Sequence, residues 1–282
     1  KIEKFSFKNK DDINNAIDLI KNKKYNITDI TSKIYTRNPS GPFTTSTLQQ
    51  TSSSKLGFGA SRTMQIAQRL YQGIDIDGET VGLITYMRTD GTNISKDAVS
   101  TFRNFITQNY GETYLPPSPL NYSGKKAKNA QEAHEAIRPT DPKKTPDIVK
   151  NELTDDQYGL YSLIWKRTLA SQMENWRGMR TTVLIDNEDG DISFRASGTV
   201  TVFEGFRALY EEGRAEDKEE LQNLPKLVKD SSLANIKTNT NQHFTKPPPR
   251  FSEPSLVKSL EEKGIGRPST YASIISVLQD RN

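Results

Sequence analysis

The alternation of apolar and polar residues changes rhythm several times along the chain, and each change marks an element. Residues 2–7 read as a short strand. Ile13, Ala16, Ile17 and Ile20 then recur at helical spacing behind Asp11 and Asp12, either of which can cap the helix. Residues 25–37 predict a β-rich stretch. Asn38-Pro39-Ser40-Gly41-Pro42 breaks the pattern as a turn, after which residues 46–72 read as helical with an interruption at Gly57 and Gly59. Ile66 and Leu70 mark one face of the second half, with Met64, Ala67, Gln68 and Tyr71 on or beside it, and Gly73 is placed to end that helix.

Further along, residues 81–87 predict a short apolar strand, and residues 95–109 an amphipathic helix with Ser95 as N-cap and Gly111 as terminator. A proline-bearing loop over 114–124 leads into the basic run Lys125-Lys126-Ala127-Lys128. A helix over 155–173 brings Tyr158, Leu160, Tyr161, Leu163, Ile164 and Trp165 to pack against the segment at 130–140 that follows the basic run. From Thr181 the period shortens to two, so residues 181–186, a turn at 187–191 and residues 192–197 predict a hairpin. Residues 211–224 are acidic and read as a loop or linker. A strand signal over 233–244 precedes the stiff Pro247-Pro248-Pro249 joint, and two short helices, 253–263 and 270–279, finish the chain.

Composition narrows the classes. A chain of 282 residues has room for two or three domains, while 33% hydrophobic and 26% charged residues with a mean hydropathy of −0.73 describe a polar protein with much surface. Its longest apolar runs fall well short of the roughly 20 residues that cross a bilayer, so no membrane partner is expected and a cytoplasmic setting is the default. With no cysteine, disulfides, thiolate zinc sites and cysteine nucleophiles are excluded, and two histidines argue against a histidine-rich metal site. The net charge of +4 is modest, but its distribution is uneven: residues 1–72 hold twelve Lys and Arg against five acids, and residues 204–220 hold seven acids against three bases. Nucleic acid is a reasonable partner on that basis. A start at Lys1 without methionine, and an end directly after a helical pattern, read as a fragment.

Three segments carry chemistry. In Gly82-Leu83-Ile84-Thr85-Tyr86-Met87-Arg88-Thr89-Asp90-Gly91 a hydrophobic strand ends at Tyr86 and polar residues follow at once, which presents the phenol at the mouth of a core element. A phenol titrates near pH 10 and so needs cationic help before it can attack a phosphodiester. Arg88, two residues on, shares a side with Tyr86 if the strand continues, and a guanidinium fork can hold two phosphate oxygens. In Gln131-Glu132-Ala133-His134-Glu135-Ala136-Ile137-Arg138-Pro139-Thr140, His134 and Arg138 are four apart and share a face only if helical, which Pro139 disfavours. Taken alone, such a histidine is more often structural. In the third segment, 244–281, Ser269 or Thr270 caps the last helix, and its N–H groups with Arg267 make an anion site. Asp75, Asp77 and Glu79 imitate a magnesium site, but Gly73 and Gly78 mark an acidic surface turn.

Through these three segments the chain resembles the bacterial type IA DNA topoisomerases over nearly its whole length. The resemblance implies an α+β multidomain fold. In it, 1–57 and 171–240 form a β-rich arch or hinge domain in two segments, 58–170 an inserted, mainly helical, winged-helix-like domain bearing the active-site tyrosine, and 241–282 the start of a helical DNA-binding domain. The junctions 57/58 and 170/171 are then candidate hinges. The resemblance implies that Tyr86, Arg88 and His134 are catalytic, and that Arg138, Arg267, Ser269 and Thr270 bind DNA. Residues 42–50, Pro-Phe-Thr-Thr-Ser-Thr-Leu-Gln-Gln, fall in the family's hinge region and receive no catalytic part. The family relaxes negatively supercoiled DNA through a 5′-phosphotyrosine link to a single strand, without ATP, and the enzyme is expected to work as a monomer near the nucleoid. It needs Mg2+, held by a Toprim domain that this chain lacks, so the chain alone is expected to be inactive or nearly so and to bind no metal itself.

A tyrosine recombinase also makes phosphotyrosine links, but its signature wants His and Arg three apart, together with further arginines. A non-catalytic module that binds single strands or forms a gate is the alternative from another class. A topoisomerase III-type decatenase is the alternative within the family, and the lack of a long basic insertion between residues 170 and 250 favours topoisomerase I.

Overall fold

The computed structural model describes residues 7, 9–21, 23–122, 134–211, 224–233 and 237–281. Most of the expected strand over 2–7, the basic run at 125–128 and most of the acidic stretch at 211–224 lie outside those residues. The fold mixes helices with antiparallel sheet and divides into two compact units: Lys1–Arg37, Arg177–Glu204 and Glu212–Pro248 form one, and Asn38–Trp176, Gly205–Glu211 and Pro249–Asn282 the other.

In the first unit, α1 (Lys10–Ile20) is capped by Asn9, whose side chain accepts the Asp12 N–H, and not by either aspartate. Asp11 and Asp12 lie in the first turn instead, where the helix dipole favours negative charge. β1 (Tyr25–Arg37) takes its place in a four-stranded sheet of order β5-β4-β1-β6, with β4 spanning Trp176–Asn187, β5 Ser193–Phe203 and β6 Ser232–Leu233. The period-two pattern therefore located the hairpin, though β4 and β5 run longer than expected, pairing from Arg177–Phe203 to Asp186–Ser193. Among the described residues the strand signal over 233–244 yields β6 alone, and residues 237–250 have no regular structure. Tyr25, Ile27 and Val183 are buried here, with the Tyr25 ring against Phe194 at 5.4 Å.

The second unit contains α2 (Thr45–Leu56), α3 (Ala60–Gln72), α4 (Lys96–Tyr110), α5 (Asp155–Ala170), α6 (Glu253–Glu262) and α7 (Tyr271–Asp280), with a small hairpin of β2 (Ile74–Ile76) and β3 (Glu79–Val81). Capping boxes open α2 at Thr44 with Thr47 and α5 at Thr154 with Gln157. α5 is buried nearly all round, from Leu160 to Ala170, and forms the centre against α2 and α3. Residues 38–57 group with this unit and not with the β-rich one, because α2 packs most heavily on α6. Residues 249–282 also pack here: Val257, Leu260, Tyr271 and Ile275 share a cluster with Ala60, and Glu253 accepts the Ala60 N–H at the start of α3.

Candidate functional site

The expected strand over 81–87 does not form a ladder. β3 ends at Val81, and the following residues run extended with a single bridge, Ile84 to Pro139. Their partner is the His134–Thr140 segment, which is extended too, so His134 and Arg138 do not share a helix face. Thr85 N–H donates to the Arg138 carbonyl at 2.9 Å, Thr140 N–H to the Leu83 carbonyl at 3.0 Å, and Arg138 N–H to Thr85 Oγ1 at 3.0 Å. The two segments, some fifty residues apart in sequence, are thus laid side by side by backbone hydrogen bonds. Local alternation survives without a sheet: Met87 and Thr89 are buried, whereas Arg88 is exposed and Tyr86 half-buried. That alternation turns Tyr86 and Arg88 to the same side.

A third segment, 42–50, braces the other two. Ile137 N–H donates to the Phe43 carbonyl at 2.8 Å. Thr45 Oγ1 donates to the Met87 carbonyl at 2.7 Å and accepts the Thr89 N–H at 2.8 Å, while Thr45 N–H donates to the Thr89 carbonyl. This stretch, expected to lie apart from the chemical centre, holds the backbone on both sides of Arg88. Gly91 completes the approach: an added Cβ would lie 2.5 Å from the His134 carbonyl oxygen, so only glycine lets that backbone come beside the tyrosine segment.

The result is a cleft of about 440 Å3 lined by Tyr71, Tyr86, Arg88, Thr89, Asp90, His134, Arg267, Pro268 and Ser269. The His134 ring lies 5.3 Å from that of Tyr86, tilted by 39°. Two guanidinium groups and an imidazole against one carboxylate favour an anion there. Arg267 is exposed and sits in a turn closed by Thr270, whose hydroxyl accepts the Arg267 N–H at 2.8 Å. Thr270 is the positional N-cap of α7, but its side chain makes no capping bond, and it does not line the cleft. Electrostatics join the same parts: burial and then Glu261 push the Tyr271 phenol up, Arg267 opposes the rise and Asp90 adds to it.

Of the predicted site residues, the structure brings together Tyr86, Arg88, His134, Arg267 and Ser269. Arg138 is elsewhere: its side chain is only 14% exposed, donates to Glu135 at 2.6 Å and to the Pro139 carbonyl at 3.0 Å, and lies over Phe102. Asp75 is engaged in closing its turn, accepting the Gly78 N–H. Sequence reasoning assigned no task to Tyr71 or Thr45, since one reads as a helix-face aromatic and the other as an N-terminal helix residue. A larger cavity of about 690 Å3 beside α4 holds none of the predicted residues. Among the described residues no helix is long and apolar enough to cross a membrane.

Comparison with known proteins identifies the family. The DNA topoisomerase family matches residues 1–282. The DNA topoisomerase 1 of Rickettsia felis is 51% identical over all 282 residues, and that of Xylella fastidiosa 51% identical over 261 residues, 90% of the chain. The chain spans 36% and 32% of the length of these two curated relatives. Full-length topoisomerase I from Thermotoga maritima matches in structure over the whole chain and 44% of its own, with a TM-score of 0.83 and 35% identity. The chain therefore belongs to the DNA topoisomerase family, on its bacterial type IA branch.

Proposed function

We propose that this chain supplies the nucleophile and much of the phosphate-binding surface of a type IA topoisomerase that relaxes negatively supercoiled DNA. The observation that carries this reading is the convergence of Tyr86, Arg88, His134 and Arg267 on one open cleft. The Tyr86 oxygen attacks a phosphorus of a single DNA strand. A bond from tyrosine oxygen to phosphorus forms, the bond from phosphorus to the 3′ oxygen breaks, and the phenolic proton is lost as the 3′ oxygen gains one. The product is a 5′-phosphotyrosine link and a free 3′ hydroxyl. One phosphoester replaces another, so the reverse reaction reseals the strand without ATP once a second strand has passed.

Arg88, which lines the cleft beside Tyr86, holds the non-bridging oxygens on this reading and stabilises the charge that grows on them in the transition state. His134, against the Tyr86 ring, binds the same phosphate. Arg267 and Ser269 receive a neighbouring phosphate, and Thr270 acts by closing their turn. Arg138 acts through the backbone and Glu135 and not on DNA. On this reading Mg2+ would be held by a Toprim domain of the complete enzyme and would supply the charge that rejoining needs. Among the described residues no group of three or more His, Asp or Glu side chains could hold it. The family resemblance further assigns 1–57 and 171–240 to an arch and 58–170 to an inserted gate domain with a winged-helix-like part, with 57/58 and 170/171 as candidate hinges; the compact units themselves divide at 37/38 and 176/177.

The test is a full-length polypeptide carrying this chain, mixed with labelled single-stranded DNA and Mg2+ and then denatured. A covalent protein–DNA band is expected, absent in Tyr86→Phe and weakened in Arg88→Ala. A band of undiminished strength in Tyr86→Phe sinks the proposal. The chain by itself is expected to give little or no band, and a separately made Toprim-containing piece to restore it.

A further inference from the structure

One exposed aromatic in the cleft has no part in the chemistry described so far. Tyr71 occupies the last turn of α3, directly after the buried Leu70, and is 41% exposed. Its backbone is tied to the tyrosine segment at two points. Leu83 N–H donates to the Leu70 carbonyl at 2.8 Å, and Gly82 passes so close that an added Cβ would lie 2.8 Å from the Tyr71 carbonyl oxygen. The end of α3 and the segment bearing Tyr86 are thereby fixed to each other. Across that joint the Tyr71 and Tyr86 rings meet edge to face, with centroids 5.4 Å apart and planes at 68°. His134 meets the same Tyr86 ring at 5.3 Å and 39°.

We infer that Tyr71 is a positioning residue for the nucleophile: its ring, with that of His134, holds the Tyr86 phenol in the orientation from which its oxygen reaches a bound DNA phosphate. This rests on the proposed function and adds to it a residue that touches neither phosphate nor proton. The physical need is clear. Attack requires the reacting atoms to be aligned at about 3–3.5 Å, and a phenol in an open cleft turns about two torsions. Two ring contacts restrict both. A nucleophile released from them would spend most of its time misaligned, and the loss would fall on the rate of bond formation, not on DNA affinity.

The experiment uses a full-length polypeptide containing this chain. Single-turnover formation of the covalent adduct is followed at saturating single-stranded DNA, and non-covalent affinity is measured separately in the Tyr86→Phe background. Tyr71→Ala and Tyr71→Leu are each expected to slow adduct formation roughly two- to twelve-fold, the factor that the energy of an aromatic pair corresponds to. Tyr71→Phe, which keeps the ring, is expected to restore it, and affinity and thermal midpoint are expected to stay within error of the parent in all three. Adduct formation at the parental rate in both Tyr71→Ala and Tyr71→Leu overturns the inference while leaving the proposed function standing. Weakened affinity with an unchanged rate at saturation overturns it too, because Tyr71 would then be a stacking platform for a base. A fall in rate matched by a fall in thermal midpoint, or a slow Tyr71→Phe, assigns the ring a merely structural part or the hydroxyl a direct one, and either outcome rejects positioning. Absence of any Tyr86-dependent adduct in the parent rejects the proposed function and this inference together.

Discussion

Thr45 offers the sharpest test of how the site is held. Its side chain is fully buried and serves two backbone groups of the tyrosine segment, donating to the Met87 carbonyl and accepting the Thr89 N–H. Thr45→Val preserves shape but removes both bonds, leaving two buried backbone groups without partners. At about 1–3 kcal/mol for each, the sum is about 2–6 kcal/mol, and because single substitutions rarely exceed about 4–5 kcal/mol the lower half of that range is expected. Trp165 lies buried in α5 of the same compact unit as Thr45, while Trp176 stands where that unit meets β4, so tryptophan fluorescence during urea unfolding reports on this unit. Thr45→Ser keeps the hydroxyl and should lose no more than about 1 kcal/mol, the cost of a buried methyl. A Thr45→Val variant within about 0.5 kcal/mol of the parent, the range of a neutral surface change, would show that these hydrogen bonds do not brace the backbone beside Arg88.

Two further outcomes are expected. Arg267→Ala should weaken single-stranded DNA binding and reduce the slope of log affinity against log salt by about 0.7, one phosphate on a single strand. Arg138→Ala should leave that slope unchanged but destabilise the fold by about 1–2 kcal/mol, a range reduced because Glu135 is one-third exposed; an equal slope change in both variants would contradict the assignment. In the first unit, hydrogen bonds from Ser193 and then Thr28 hold the Asp186 carboxyl below its ordinary value. A carboxyl lowered on folding stabilises above the unfolded value, near pH 4 for aspartate, and that contribution disappears as pH falls through the folded value. The thermal midpoint should therefore drop more steeply below about pH 4 in the parent than in Asp186→Asn, and parallel curves would refute this.

Much of what is local was legible in the residues alone. Helical spacing, caps and glycines located α1 to α5 to within a few residues, because these signals act within one or two turns. The cap of α1 went to Asn9 and not to the aspartates because all three are good caps, and only the path of the incoming chain chooses among them. The tyrosine segment read as a strand from its apolar run, yet a ladder needs a partner, and its partner proved to be a short extended segment that supplies one bridge. Sequence by itself determined which side chains could do the chemistry, since a phenol followed by a guanidinium two residues on is a property of the chain. Tertiary structure alone decided which of them meet: it turned Arg138 inward to Glu135, brought Arg267 from the far end of the chain to Tyr86, and set Thr45 and Tyr71 around the nucleophile. The reason is that such meetings depend on backbone hydrogen bonds and close approaches between segments far apart in sequence, and no periodicity within a single segment records them.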